Sequence, residues 1–184
     1  MEKVDVKKIK AAKSYTNALF EASKENNSTQ KVLSELEYLV DITTKNPQLQ
    51  EFFVNPVITK EDKKEVISKI FSGIISKTTE NFLCILTDNS RLDLIENILE
   101  EFSHKNDKEL NIEKPLVTSA IELNEEYKQK IIQKLESKLS AKVIPNFYVD
   151  PEIIGGLIFE VKDKTIDFSL RTKFKNMTKQ LTKG

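Results

Sequence analysis

The chain has 184 residues, of which 39% are hydrophobic and 32% charged, and its 29 basic residues equal its 29 acidic ones. The length suits one large domain or two small ones, and the charge balance excludes a global field that would draw the chain to nucleic acid or membrane. The one cysteine, Cys84, excludes an internal disulfide, and with the one histidine, His104, it cannot form a Cys/His zinc site.

Residues 9–102 carry a helical period throughout. Apolar residues recur at spacings of three and four in six segments, which are divided by breakers such as Asn46-Pro47 and Asn55-Pro56. Thr59 followed by Asp62 is typical of a helix N-terminus. Cys84 lies in an apolar run of the fifth segment and is expected to be buried. The pattern predicts six short helices packed as an all-α bundle.

Residues 103–114 are polar and charged with almost no apolar residue. We interpret them as a linker or a frayed helix end, and therefore as a boundary between two domains. The predicted domains are residues 1–105 and residues 106–184.

The period changes in the second half of the chain. Strands are predicted at 116–123 and 143–149, and residues 157–161 and 166–168 alternate as in a hairpin. One helix is predicted after Asn124 and a last one after Ser169, since both residues are good helix caps. The order β-α-β-β-β-α predicts a small mixed sheet covered by two helices. The expected fold is mainly α, a six-helix bundle followed by a small α+β domain.

Two of the chain's four glycines are adjacent, at Gly155 and Gly156, shortly after a turn signal at Asp150-Pro151. A chain that is poor in glycine places a pair where the backbone needs a positive φ or where a Cβ would be crowded. These four residues are predicted to form a structural turn that leads into the hairpin.

No motif for catalysis or cofactor binding is present. The four glycines, at 73, 155, 156 and 184, cannot supply a phosphate-binding loop, and the motifs of serine hydrolases and zinc peptidases are absent from the sequence. Adjacent acids such as Glu125-Glu126 are expected to be solvated helix surface. We therefore expect no enzyme activity, no cofactor and no metal site.

The last predicted helix is basic. From Ser169 to the end there are five basic residues and no acid, including four candidate contact residues: Arg171, Lys173, Lys175 and Lys179. A basic amphipathic helix can bind RNA, anionic lipid or an acidic partner helix. The pattern favours the simpler alternative, in which the lysines are solvated and an apolar face packs on the sheet, formed by Leu170, Phe174, Met177 and Leu181.

Several short segments, in this order along the chain, resemble one known family. They are YTNALF at 15–20, FFVNPVI at 52–58 with Lys63-Lys64, NFL at 81–83 with Arg91-Leu92, VTSAIEL at 117–123, VDPEIIGGL at 149–157, and Ile166-Asp167 with Ser169-Leu170-Arg171. Together they resemble the delta subunit of F-type ATP synthases, whose mitochondrial equivalent is the oligomycin-sensitivity-conferring protein. The residues of these segments are most similar to those of the cyanobacterial and plastid branch of the family. Thr16 stands where the family often has alanine, Thr172 where it often has glycine, and Asp163-Lys164 where the hairpin turn commonly carries glycine.

The resemblance implies a non-catalytic connector in the peripheral stalk. The family's N-terminal domain binds the N-terminal helices of the head's alpha subunits, and its C-terminal domain meets the membrane-anchored b-type subunits. One copy per complex would then hold the head against rotor torque during proton-driven ATP synthesis. The implied location is peripheral, on the head-bearing side of a plastid or cyanobacterial thylakoid or a bacterial inner membrane, with no membrane insertion and no nucleic acid. The alternative function is that of an RNA-binding helical protein that uses the basic C-terminal helix.

A bundle of short helices can expose an apolar groove that receives an amphipathic helix. The candidate groove for the alpha-subunit helix is formed by residues of the first and fifth predicted helices: Ala11, Tyr15, Ala18 and Ala22, with Phe82, Ile85, Leu86 and Asn89. The alternative is that these residues form the bundle core.

Overall fold

The computed structural model describes residues 2–162 and 164–181, with the side chains of residues 8–178 in those ranges. The chain divides into two compact units, Met1–Asn106 and Asp107–Gly184. Within the described residues, no helix combines the length and apolar character that a membrane span requires.

The first unit is helical, as the period predicts. Its helices are α1 (Glu2–Glu25), α2 (Thr29–Lys45), α3 (Pro47–Val54), α4 (Lys60–Phe71), α5 (Lys77–Asp88) and α6 (Ile95–Glu109), the last preceded by a short 3-10 helix, Leu92–Leu94. Asn46 ends α2, and Pro47 begins α3 at a position where its missing N–H costs no helical hydrogen bond. The Thr59 hydroxyl accepts a hydrogen bond from the Asp62 N–H and caps α4. The predicted six-helix arrangement is confirmed.

The core of this unit contains side chains from all of its longer helices. Phe20 of α1 and Phe102 of α6 are almost fully buried, and their ring centroids lie 5.2 Å apart in an edge-to-face contact. Cys84 is only half-buried, contrary to the prediction. The cause is its position on α5, which turns Phe82, Leu83 and Leu86 toward the core instead.

Of the two alternatives for residues 103–114, a linker is wrong for residues 103–109, which are the ordered end of a helix. These residues form the last two turns of α6. Phe102 and Asn106 are both buried and lie four residues apart, so they share one face of the helix. That narrow inward stripe anchors a segment whose other residues are polar.

Thr16 places an unsatisfied polar group in this core. It is 2% exposed, and among the described residues it carries the buried side-chain oxygen that has no hydrogen-bond partner. An unsatisfied buried hydroxyl costs about 1–3 kcal/mol. Thr16 is also the position where the family resemblance leads one to expect alanine.

Replacing Thr16 with alanine is therefore expected to stabilise the chain by about 1 kcal/mol. The gain comes from removing the orphaned hydroxyl and from the higher helix propensity of alanine, and it exceeds the cost of one lost methyl group. Urea denaturation of the full chain measures the change. Thr43→Ala is the matched control, because the Thr43 hydroxyl is buried but donates to the Leu39 carbonyl at 2.9 Å. A Thr16 variant that loses as much stability as the Thr43 variant would contradict the argument.

The second unit combines strands and two helices. In chain order its elements are β1 (Ile112–Glu113), β2 (Leu116–Ser119), α7 (Glu125–Leu139), β3 (Lys142–Val143), β4 (Asn146–Val149), a 3-10 helix (Pro151–Ile153), β5 (Leu157–Val161), β6 (Lys164–Asp167) and α8 (Leu170–Leu181). The predicted caps are present: the Asn124 side chain accepts from the Tyr127 N–H, and the Ser169 hydroxyl accepts from the Thr172 N–H.

The strands form a mixed four-stranded sheet in the order β4-β2-β5-β6, beside a two-stranded parallel pair of β1 and β3. Strand β2 runs parallel to β4 and antiparallel to β5, and β5 and β6 form the predicted antiparallel hairpin. In the register, Thr118 of β2 lies opposite Tyr148 on one side and Ile158 on the other.

Two predicted strand boundaries are wrong. The expected strand at 143–149 is divided into β3 and β4 at Pro145, because proline has no N–H to donate to a neighbouring strand. The Asn146 N–H restores the ladder by donating to the Pro115 carbonyl at 2.9 Å. The expected strand at 116–123 stops at Ser119, whose hydroxyl donates to the Ile121 carbonyl and closes a turn.

Candidate functional site

The first and fifth helices of the bundle pack against each other and bring the two halves of the predicted groove together. Tyr15 of α1 and Phe82 of α5 meet in an edge-to-face ring contact, with centroids 6.5 Å apart and planes at 72°. Ala11 and Tyr15 are half-buried and pack against the bundle core. The Tyr15–Phe82 ring contact thus joins α1 to α5.

The predicted groove residues fall into two groups. Phe82 is 5% exposed and Leu86 is fully buried, so both belong to the core. Ile85 is 50% exposed, and Ala18 and Asn89 are also exposed, while Ala22 is half-buried. Of the predicted groove residues, α1 therefore exposes Ala18 and part of Ala22, and α5 exposes Ile85 and Asn89.

The turn around Gly155 and Gly156 is tightly packed. The Asp150 carboxylate accepts from the Glu152 N–H at 2.9 Å, and Pro151 starts the 3-10 helix. Gly156 has φ +84, and a Cβ built there would lie 2.2 Å from the Phe168 carbonyl oxygen. Only glycine meets both conditions without strain.

The residue before the pair is strained. Ile154 has φ +66 and ψ −39, a conformation that a β-branched residue rarely adopts. Its side chain is 62% exposed, whereas the preceding Ile153 is 2% exposed. The strained backbone thus turns one of two adjacent isoleucines outward.

Helix α8 begins at this turn and is held there by several hydrogen bonds. The Leu170 N–H donates to the Gly155 carbonyl at 2.9 Å. The Asp167 carboxylate accepts from the Ser169 N–H and from the Thr172 hydroxyl, each at 2.7 Å. Hydrogen bonds from Ser169 and Thr172 hold the pKa of the Asp167 carboxyl below its ordinary value. Thr172, where the family often has glycine, is thus part of the N-terminal anchor of the helix.

The expectation that α8 packs its apolar face on the sheet is wrong for the residues whose side chains are described. Leu170, Phe174 and Met177 are 40%, 54% and 53% exposed, and the side chain of Leu181 lies outside the described residues. Helix α8 lies against the 3-10 helix instead, where the Arg171 guanidinium donates to the Glu152 carboxylate at 3.2 Å. Because residues at i, i+4 and i+7 share a helix face, α8 presents a continuous apolar stripe to its surroundings.

The basic residues of α8 flank this stripe. Lys173 and Lys175 are exposed and make no ion pair within the described residues, whereas Arg171 pairs with Glu152 at 3.2 Å. The side chain of Lys179 lies outside the described residues. Helix α8 thus combines exposed apolar and cationic side chains, a composition suited to an acidic amphipathic partner.

The chain offers contact surfaces and no assembled reactive centre within the described residues. There, no group of three or more His, Cys, Asp or Glu side chains could hold a metal ion, and His104 is exposed on α6. The predicted contact surfaces that carry exposed apolar side chains are the one between α1 and α5, with Ile85, and the α8 stripe. Sequence reasoning missed the exposure of Phe174 and Met177, because periodicity shows that a helix has an apolar face but not what covers it.

Comparisons with known proteins agree with this architecture. The family model for the ATP synthase delta (OSCP) subunit matches residues 11–181. ATP synthase subunit delta of Lachnoclostridium phytofermentans is 34% identical over 173 residues, covering 94% of this chain and 95% of that protein. The subunit delta of the cyanobacterium Gloeothece citriformis is 30% identical over 174 residues, with coverage of 94% and 95%. That of Prochlorococcus marinus is 32% identical over 170 residues, with coverage of 92% and 94%.

The same fold occurs in a solved structure. A chain in the cryo-EM structure of the Toxoplasma gondii mitochondrial ATP synthase hexamer superposes with a TM-score of 0.67 and 19% identity, covering 93% of this chain and 97% of that one. These findings do not support the alternative of an RNA-binding protein. The chain belongs to the ATP synthase delta (OSCP) subunit family and is a non-catalytic, peripheral-stalk component of the membrane-bound F-type ATP synthase.

Proposed function

We propose that the chain links the alpha subunits of the catalytic head to the membrane-anchored b-type subunits, so that the head resists rotor torque. Each compact unit takes one end of this link. The first unit, Met1–Asn106, binds an alpha-subunit N-terminal helix, and the second, Asp107–Gly184, binds the stalk. The observation that carries the proposal is the packing of α1 on α5 through the Tyr15–Phe82 ring contact, together with the exposure of Ala18 on α1 and of Ile85 on α5.

The ligand of the proposed α1–α5 groove is a helix. An amphipathic helix inserts side chains at i, i+3, i+4 and i+7 into such a groove. Ala18 and Ala22 allow the visiting backbone to come close, and Ile85 supplies an apolar wall that is half exposed in the free chain. Covering this surface removes apolar area from water, which favours binding.

Replacing Ile85 with aspartate is expected to weaken binding of an alpha-subunit N-terminal peptide by at least about tenfold, because the variant buries a charge in an apolar contact. Isothermal titration calorimetry with the full chain measures the affinity. Ile70→Asp is the matched control, since Ile70 is a 40% exposed isoleucine on α4, outside the groove. Equal affinities of the two variants, or no binding by the unsubstituted chain, would reject the groove.

The stalk end is assigned to α8. Its exposed stripe of Leu170, Phe174 and Met177 gives a partner helix apolar area to bury. Lys173 and Lys175 beside the stripe favour a partner with acidic residues, here a b-type subunit. Binding of the stalk would thus cover the apolar side chains of α8 that the fold of the second unit leaves exposed.

Two binding contacts with one complex allow a small chain to resist torque. When one unit is bound, the effective concentration of the other rises, and the combined affinity can exceed either contact by roughly 10²–10⁴. One copy per complex is sufficient for this link. The membrane is an energy-coupling one, a cyanobacterial or plastid thylakoid or a bacterial inner membrane, and the chain lies on the side that bears the head.

A further inference from the structure

A second cavity of the helical unit is not used by the proposed function. It is a cleft of about 510 Å³ where the turn between α3 and α4 faces the turn after α5. Lys60 and Lys63 line it from the start of α4, and Arg91 lines it from the opposite turn. Residues from two sets that the sequence analysis singled out, the segment 52–58 with Lys63 and the pair Arg91-Leu92, thus meet at one cleft.

Lys63 is the informative residue of this cleft. It is 8% exposed, and its ammonium group donates to the Phe53 carbonyl at 2.7 Å. An ammonium group has three N–H donors, and no carboxylate of the described residues lies within ion-pair distance of this one. Since a buried charge is costly unless it is paired, Lys63 has unused capacity for an anion.

The surrounding charges reinforce this capacity. Lys60 donates to the Asp88 carbonyl at 2.6 Å, and exposed Arg91 makes no ion pair within the described part of the chain. Of the two carboxylates that line the cleft, Asp93 already pairs with Lys8 at 2.8 Å, which leaves Glu61. Cations therefore outnumber the carboxylates available to neutralise them.

The cleft also has an apolar wall. An apolar pocket of about 100 Å³ adjoins it and shares Phe53, Val54 and Leu92 with it. Val54 is 56% exposed and Leu92 is 7% exposed, so the wall runs from the surface into the bundle. A free anion would leave this wall uncovered, whereas a peptide with an apolar residue beside an acidic one would cover it.

We propose that this cleft binds an acidic peptide segment of a partner protein. Its carboxylate is received by Lys63 with Lys60 and Arg91, and an adjoining apolar side chain contacts Phe53 and Leu92. The proposal does not rest on the α1–α5 groove, and Ile85→Asp is expected to leave this binding unchanged.

NMR titration of the isotope-labelled full chain tests the proposal. The probes are acetyl-Leu-Glu-Leu-amide, its neutral counterpart acetyl-Leu-Gln-Leu-amide, and inorganic phosphate. The acidic peptide is expected to shift the amide signals of Thr59, Lys60 and Arg91 in a saturable way, and to bind about tenfold more tightly than the neutral one, because only its carboxylate makes charge-assisted hydrogen bonds. Phosphate is expected to bind more weakly than the acidic peptide.

Variants assign the binding to the cleft. Lys63→Met and Arg91→Gln are each expected to weaken the acidic peptide about tenfold. Lys69→Met, an exposed lysine of α4 that pairs with Glu65, is the control and is expected to have no effect. Because Arg91 is exposed, its variant tests the proposal even if Lys63→Met destabilises the fold.

Three results would overturn the proposal. No saturable shift with the acidic peptide would remove the site. Equal binding of the two peptides would show that charge plays no part, and phosphate binding as tight as the acidic peptide would show that the site takes a free anion.

Discussion

A chain with alanine in place of Gly156 is expected to lose the fold of its C-terminal unit while the helical unit keeps its structure. The added Cβ would lie 2.2 Å from the Phe168 carbonyl oxygen, 3.0 Å from the Phe168 carbonyl carbon and 3.1 Å from the Ser169 Cα. All three are backbone atoms, and the Phe168 N–H donates to the Leu157 carbonyl at 2.9 Å, so they cannot move without opening the hairpin.

The backbone conformation adds to the cost. Gly156 has φ +84, in the left-handed region that favours glycine. Clash and strain together are expected to cost about 3–5 kcal/mol, a large part of the 5–15 kcal/mol that stabilises a typical domain. Hydrogen exchange read by mass spectrometry reports each unit separately, and faster exchange is expected only in peptides from residues 112–181, from β1 to the end of α8.

Gly155→Ala is the matched control for this prediction. A Cβ at Gly155 would meet the Leu170 Cδ1 at 2.8 Å, which is the end of a flexible side chain that is 40% exposed. Leu170 can move to another rotamer, so the expected loss is about 1 kcal/mol. If the second unit exchanges its amide hydrogens at the same rate in the Gly156→Ala and Gly155→Ala variants, the crowding argument is wrong.

Replacing Glu35 with alanine is expected to destabilise the helical unit by about 3–4 kcal/mol. Glu35 is 6% exposed, and its carboxylate accepts from the Ser76 N–H and hydroxyl, both at 2.7 Å, and from the Thr79 hydroxyl at 2.5 Å. Ser76 is the N-cap of α5, so a charge on α2 stabilises the start of another helix. The alanine variant removes the shared acceptor of all three donors, and only the Ser76 and Thr79 hydroxyls, 3.3 Å apart, can then bond each other.

Two variants separate this network from a general effect of α2. Glu37→Ala removes an exposed acid on the same helix and is expected to change stability by less than about 0.5 kcal/mol. Glu35→Gln keeps one acceptor oxygen and should recover part of the loss. Urea denaturation of the full chain measures all three, and a Glu35→Ala variant as stable as Glu37→Ala would show that the network contributes nothing.

Nothing in the local sequence distinguishes Glu35 from a solvated acid. It lies between Ser34 and Leu36 on an amphipathic helix, and its partners are 41 and 44 residues away. The cleft at Lys63 has the same character, since the sequence shows two short segments and only the folded chain brings Lys63 and Arg91 together. Long-range polar contacts of this kind depend on tertiary packing.

The sequence by itself determined the local structure and the family. Breakers, caps and apolar spacing are properties of neighbouring residues, and they predicted the six helices, the caps at Thr59, Asn124 and Ser169, and the hairpin. Collinear motifs identified the delta-subunit family, which the comparisons confirm. These signals are short-range, so they can be interpreted without knowing which helices and strands pack against each other.

Only the tertiary structure decided which faces are covered. Phe82 and Ile85 belong to the same apolar stretch of α5, yet one is 5% and the other 50% exposed. Phe174 and Met177 resemble core residues in sequence but are exposed on α8, while polar Asn106 is buried. The physical reason is that an amphipathic pattern specifies an apolar face, whereas its burial depends on distant elements that the chain brings against it.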